Sequence, residues 1–215
     1  MRTFWRNNNL SLVLTVLFLG CLLGQVLFGR AAYNDELVRD GAMPLGYIDY
    51  LQSGHFLSAL AENWESEFLQ MGMYVILTVH LRQRGSAESR PLDPSKEDNR
   101  IERGPVPWPV RRGGIWRSVY DWSLSLAMGA LFLSAFIGHS IGSWRLENAE
   151  RALDGRLPEA WWDHVTGAQF WFESMQNWQS EFLAVFSLVV LTIVLRQKDS
   201  PQSKPVRAPH AQTGG

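Results

Sequence analysis

The chain has 215 residues and a formal net charge of −1, which leaves room for one large domain or two small ones. Its single cysteine, Cys21, excludes an internal disulfide and most cysteine metal sites. A mean hydropathy of −0.11 would describe a soluble protein, but this average conceals long apolar runs set between charged segments.

Leu10 to Phe28 is nearly all apolar, and a run of roughly 18–20 such residues is the length that crosses a hydrocarbon core as a helix. Arg2 and Arg6 precede it as in a signal peptide. No small-x-small cleavage site follows, so the segment is expected to be retained. Cys21 ends only a poor lipobox-like match and is read as an ordinary helix cysteine. Tyr33 to Arg39 has helical composition and stops at Asp40-Gly41, with Pro44 beyond. Tyr47 to Leu51 is short, aromatic and amphipathic, as suits a segment lying at an interface. Ser53-Gly54 can open the next helix. Its apolar part, Phe68 to Leu81, is short for a crossing, so the helix must begin near Asn63. That draws Asn63-Trp64-Glu65-Ser66-Glu67 into or against the membrane.

Residues 84–115 are rich in charge, Ser and Pro and read as a flexible linker with a polyproline-like stretch at 104–109. Trp122 to Ile141 is a second long apolar run. After it come Glu147 to Leu153, Asp154-Gly155, Pro158, the aromatic Trp161 to Val165, Thr166-Gly167 and a last apolar run, Phe182 to Leu195. Residues 198–215 are rich in Pro, Ser, Gln and Gly and are expected to be disordered.

This order repeats. Asn63-Trp64-Glu65-Ser66-Glu67-Phe68-Leu69 returns 114 residues later as Asn177-Trp178-Gln179-Ser180-Glu181-Phe182-Leu183. The same offset carries Leu10-Ser11-Leu12 onto Leu124-Ser125-Leu126, Leu81-Arg82-Gln83 onto Leu195-Arg196-Gln197, and Asp40-Gly41 and Pro44 onto Asp154-Gly155 and Pro158. An ungapped match of this length is an internal duplication. The expected fold is therefore an all-α membrane protein with four transmembrane helices, near 9–29, 62–82, 121–142 and 176–196. They form two parallel two-span repeats, 1–83 and 116–197, with short amphipathic extracytoplasmic helices, the 84–115 linker between them and the tail from 198. Two crossings per unit make the copies enter from the same side.

Charge orients the chain. Of its 20 Lys and Arg, 15 lie in the N-terminus, the connection from Arg82 and the tail, against 5 in the loops 29–67 and 143–181. The basic excess marks the cytoplasmic face, so both termini are expected inside. Tryptophans at the ends of spans agree with this layout, with Trp64, Trp144, Trp161, Trp162 and Trp178 as outer interface anchors.

Chemistry points to the duplicated motif. On a helix Asn63 and Glu67 share a face, as do Asn177 and Glu181, with Ser66 and Ser180 beside them. Gln25 and His139 fall at matching positions near the same depth. Together these eight residues make a candidate ion or proton site, because ionisable groups at membrane depth usually face a bundle interior. Glu65 becomes Gln179, so its charge is not required by both copies. The competing reading makes the same residues helix caps and interface anchors. No catalytic motif, phosphate-cradling glycine loop or zinc spacing occurs, and no metal or other cofactor is expected. The basic group Arg111, Arg112 and Arg117 abuts a span, which favours membrane lipids over nucleic acid as its partner.

The tandem pattern resembles a family of small bacterial integral membrane proteins catalogued as domain of unknown function 6766. The resemblance rests on Asn9 to Leu14, Ser53-Gly54-His55-Phe56, the two Asn-Trp motifs, Phe170-Trp171-Phe172-Glu173-Ser174 and Ser200-Pro201-Gln202-Ser203-Lys204-Pro205-Val206. It implies an inner-membrane protein and supplies no activity. The functional expectation is a non-enzymatic scaffold or accessory protein meeting partners through its external loops or the 84–115 linker. The alternative is a component of a proton- or cation-linked transporter or channel that uses Glu67 and Glu181, and an enzyme acting on lipid comes third.

Overall fold

The computed structural model describes residues 2–97 and 100–214; Asp98 and Asn99, inside the expected linker, lie outside the described residues. The described residues form eight α-helices and one 3-10 turn, with no strand among them. In chain order these are α1 (Arg2–Arg39), α2 (Tyr47–Leu51), α3 (Gly54–His80), the 3-10 turn (Pro94–Lys96), α4 (Trp108–Arg112), α5 (Gly114–Asp121), α6 (Ser123–Leu153), α7 (Trp161–Thr166) and α8 (Ala168–Val194). Tyr33 to Arg39 and Glu147 to Leu153 are the last turns of α1 and α6. The 114-residue offset carries the end of α1 onto the end of α6, the starts of α2 and α3 onto those of α7 and α8, and His80 onto Val194.

Three helices, α1, α6 and α8, are long and apolar enough to cross a membrane. The fourth expected crossing, 62–82, lies on α3, which is not among them. The reason is composition. At 27 residues α3 is as long as α8, but Gln70 follows its Glu62, Asn63, Glu65 and Glu67, so the run after them free of charge and amide groups is only Met71 to Val79, against Phe182 to Val194 in α8.

The chain divides into two compact units. The first contains residues 1–61 and 137–170. Both long helices in it end in the same way. Gly41 and Gly155 take φ of 78° and 69°, a left-handed conformation that side chains resist. The next amide then reaches back five residues, Ala42 N–H to Leu37 O at 2.8 Å and Arg156 N–H to Arg151 O at 2.8 Å. This Schellman closure satisfies carbonyls that the helix end would otherwise orphan.

An asparagine then clips each loop to its helix. Asn34 donates from Nδ2 to Leu45 O (3.0 Å) and accepts from Leu45 N–H (2.7 Å). Asn148 does the same with Glu159, at 3.2 and 2.8 Å. A carboxamide can answer both groups of one residue because it carries the same donor and acceptor as a peptide. Ser53 caps α3, its hydroxyl accepting from Phe56 N–H at 3.2 Å. The start of α3 meets α6 backbone to backbone. A Cβ on Gly54 would stand 2.7 Å from Gly142 O, and one on Gly142 would stand 2.8 Å from the carbonyl carbon of Leu57. Only glycine permits this approach.

The second unit contains residues 62–136 and 171–215. Its polar ends repeat as well. The amides of Gln83 and Gln197 donate to Ser89 Oγ and Ser203 Oγ, each at 2.9 Å. Those of Glu88 and Gln202 donate to Ser86 Oγ and Ser200 Oγ, each at 3.2 Å. The segment from 198, expected to lack structure, carries turns and hydrogen bonds through its described residues. Its centre is Lys204, only 1 % exposed. The ammonium donates to the carbonyls of Gly85, His210 (2.9 Å) and Gln212 (2.9 Å), which uses its three N–H groups. Burial and the neighbouring Arg196 push the Lys204 pKa down from the usual lysine range.

Candidate functional site

The repeated motif faces its neighbours unequally. On α3 the buried side chains are Ser58, Ala61, Glu65, Ser66 and Gln70, spaced three or four apart except for adjacent Glu65 and Ser66. This stripe is one helix face. Glu67, expected to carry the chemistry, lies off it and is exposed, whereas Glu65 is fully buried. The Trp178 indole donates to Glu65 Oε1 at 2.8 Å. One turn away, Asn177 donates from Nδ2 to Glu62 Oε1 and to Glu173 O (3.3 Å). Gln70 donates from Nε2 to the backbone oxygen of Glu181 at 3.0 Å. Three polar bonds thus stitch α3 to α8 in the second unit. Aromatic rings flank them: Phe132, Phe136 and Trp171 form a chain with Trp178, at centroid separations of 5.9 to 6.2 Å.

The two serines of the motif act within their own helices. Ser66 Oγ donates to Asn63 O (3.0 Å) and Ser180 Oγ to Asn177 O (2.8 Å). Such a bond satisfies a hydroxyl locally. Glu181 is half-buried, and Glu67 stands near enough for its charge to bear on it. Gln25 and His139 belong to the other unit. There Gln25 is half-buried, and His139 is fully buried, its ring 4.8 Å from that of Phe170.

The tryptophans divide into two kinds. Trp64, Trp161 and Trp162 are 38 %, 39 % and 65 % exposed. Trp144 and Trp178 also hold the protein together, through Glu159 O at 2.9 Å and Glu65.

A second polar cluster had no signal in the motifs. In the first unit Ser143 Oγ lies 2.7 Å from His164 Nε2, and His164 Nδ1 lies 2.7 Å from Glu159 Oε1. Arg151 donates to the other oxygen of Glu159 at 2.5 Å and to Glu147 at 2.7 Å. The sequence of serine, histidine and acid is that of a hydrolase triad, but its setting is different. Ser143 lies inside the 31-residue α6, where nearby N–H groups are committed to helix carbonyls and cannot form an oxyanion hole. Arg151 also neutralises the acid. The cluster is a latch holding α7 to α6. In the first copy the matching positions are Gly29, Leu37, Leu45 and Tyr50, and the same loop closes around the apolar contact of Tyr33, Leu37 and Tyr50. Comparing the two copies, Tyr50 with His164 and Gly29 with Ser143, is the signal that could have revealed it.

A cavity of about 390 Å³ in the second unit is lined by apolar residues such as Leu77, Phe182 and Val189 and by Tyr74, whose hydroxyl donates to Glu88 at 2.8 Å. Among the described residues no cluster of His, Cys, Asp and Glu could hold a metal ion.

The described residues are all-helical, and three of the helices are long and apolar enough to cross a membrane. The chain belongs to the family described as a domain of unknown function (DUF6766), whose model matches residues 1–215. No curated protein and no solved structure matches it significantly.

Proposed function

We propose that this protein is a non-enzymatic scaffold or accessory protein of a bacterial inner membrane, with both termini cytoplasmic. One observation carries the reading: the repeated polar residues are consumed in fastening helices and loops. Outside the motif, Asn34 and Asn148 clip loops to their helices; within it, Ser66 and Ser180 bond to their own helices, and Trp178 and Asn177 pair with Glu65 and Glu62 of α3. What the fold then offers to partners is its outer loops and the 84–115 segment.

The finer architecture belongs to the same proposal: two parallel repeats, each crossing twice. The matched helix ends and the paired clips support it. α3 is the weak member by composition, yet Glu65 and Gln70 are turned onto α8 rather than outward. A helix whose polar groups face protein can cross lipid despite them. Reporter fusions after residue 40, after residue 95 and at the C-terminus test this. The four-span layout gives outside, inside, inside. A residue-95 or C-terminal fusion reporting outside would reduce the crossings to three, and a residue-40 fusion reporting inside would invert the orientation.

A transporter or channel role for Glu67 and Glu181 is favoured by one observation, the half-buried Glu181 within electrostatic reach of Glu67. Glu67→Gln with Glu181→Gln keeps shape and removes charge. Loss of pH- or cation-dependent behaviour in reconstituted vesicles supports transport. Unchanged behaviour, with both wild-type carboxyls titrating in infrared spectra as free glutamates do, removes it.

A further inference from the structure

α4 and α5 form a hairpin that no other feature explains. Gly113 and Gly114 both take left-handed φ, 69° and 57°, and the turn they make brings Trp108 back to Trp116, with ring centroids 5.3 Å apart. The Arg112 guanidinium sits over both indoles, 5.3 and 5.5 Å from their centroids. Among the described residues neither Arg111 nor Arg112 forms an ion pair, and both are exposed. Along α5, Ile115, Val119 and Tyr120 lie to one side, while Arg117, Ser118 and Asp121 lie to the other. The apolar side is uncovered: Ile115 is 73 % exposed, Val119 50 % and Trp122 53 %.

Exposed indoles, an uncovered aliphatic strip and unpaired guanidinium groups suit a surface that is half apolar and half anionic. Chain continuity says where that surface is. Only Trp122 separates α5 from α6, one of the membrane-length helices, so the hairpin stands at the membrane boundary if α6 crosses. At that boundary indole rings lodge among headgroups, and arginine forks pair with phosphate. We infer that the α4–α5 hairpin is an interfacial clamp for anionic phospholipid, seated by its aromatic and aliphatic face and made selective by Arg111 and Arg112.

This rests on the membrane reading above, and the test separates the two. The full chain carrying Cys21→Ser and Val119→Cys, labelled with bimane at 119, is reconstituted in phosphatidylcholine vesicles. These are doped with brominated phosphatidylglycerol or with brominated phosphatidylcholine. The expected result is quenching at a lower mole fraction of the anionic lipid. A basic side chain near an anionic surface contributes about fivefold, so Arg111→Gln with Arg112→Gln should erase a preference on the order of 25-fold. High salt acting on the unsubstituted arginines should weaken the same preference, which gives an answer even if the double variant misfolds. Equal quenching by the two lipids overturns the clamp. So does a bimane that no lipid quenches in a chain whose own tryptophans are quenched. A chain that fails to enter vesicles at all overturns the membrane reading with it.

Discussion

Glu65 is the residue whose replacement should cost the helix pairing most. It is fully buried on α3 and accepts from the Trp178 indole of α8 at 2.8 Å. A hydrogen bond contributes about 0.5–1.5 kcal/mol net, and a group shielded from water that loses its partner costs about 1–3 kcal/mol. Glu65→Ala should therefore destabilise the protein by about 2–4 kcal/mol once the lost side-chain packing is included. Glu65→Gln retains an acceptor at the same reach and should cost under about 1.5 kcal/mol. The second copy already places glutamine at the matching position, Gln179. The measurement is reversible unfolding in mixed micelles, followed by tryptophan fluorescence, for Glu65→Ala, Trp178→Phe and the double variant. A coupling of about 1–2 kcal/mol is expected, since the partners touch. Additive single effects, or a Glu65→Ala variant as stable as the parent, would refute the pairing as the source of stability. The control is Glu67→Ala: this residue is exposed and should change unfolding little.

Asn34→Ala and Asn148→Ala each remove two backbone bonds, at a cost of about 1–2 kcal/mol, and should make the following loop a preferred site for limited proteolysis. Gly142→Val drives a side chain into the backbone of α3 and should cost about 1–3 kcal/mol or prevent folding, read as loss of monodisperse protein in detergent. His55 stacks on Tyr33 at 4.4 Å, and burial lowers its pKa below the ordinary value of about 6.5, with Glu36 opposing. The folded state therefore resists a proton that the unfolded chain accepts, so stability should fall as pH drops below about 6.5. Unfolding midpoints at about pH 7.5 and about pH 5.5 check this, and His55→Gln, which copies Gln169, should flatten the difference.

Much of the fold was legible because its causes are local. Asp-Gly before a proline stops a helix whatever surrounds it, and the stops fall at Arg39 and Leu153. The apolar runs set α1, α6 and α8, and Tyr47 to Leu51 and Trp161 to Thr166 are short helices because turn residues bound them on both sides. The 114-residue offset carries the end of α1 onto that of α6 and the starts of α2 and α3 onto those of α7 and α8. Tertiary structure decided what those matched positions do. Identity between copies directed attention to Glu67 and Glu181, but burial depends on which helix lies alongside, and α8 covers the face holding Glu65. The same loop closes around Tyr50 in one copy and through His164, Ser143 and Glu159 in the other, since either apolar contact or paired polar groups can fill the space. The tail read as disordered because Pro, Ser and Gln bury little by themselves. Its order comes from Lys204, whose charge can be buried only where distant carbonyls converge on it, and no local pattern encodes that convergence.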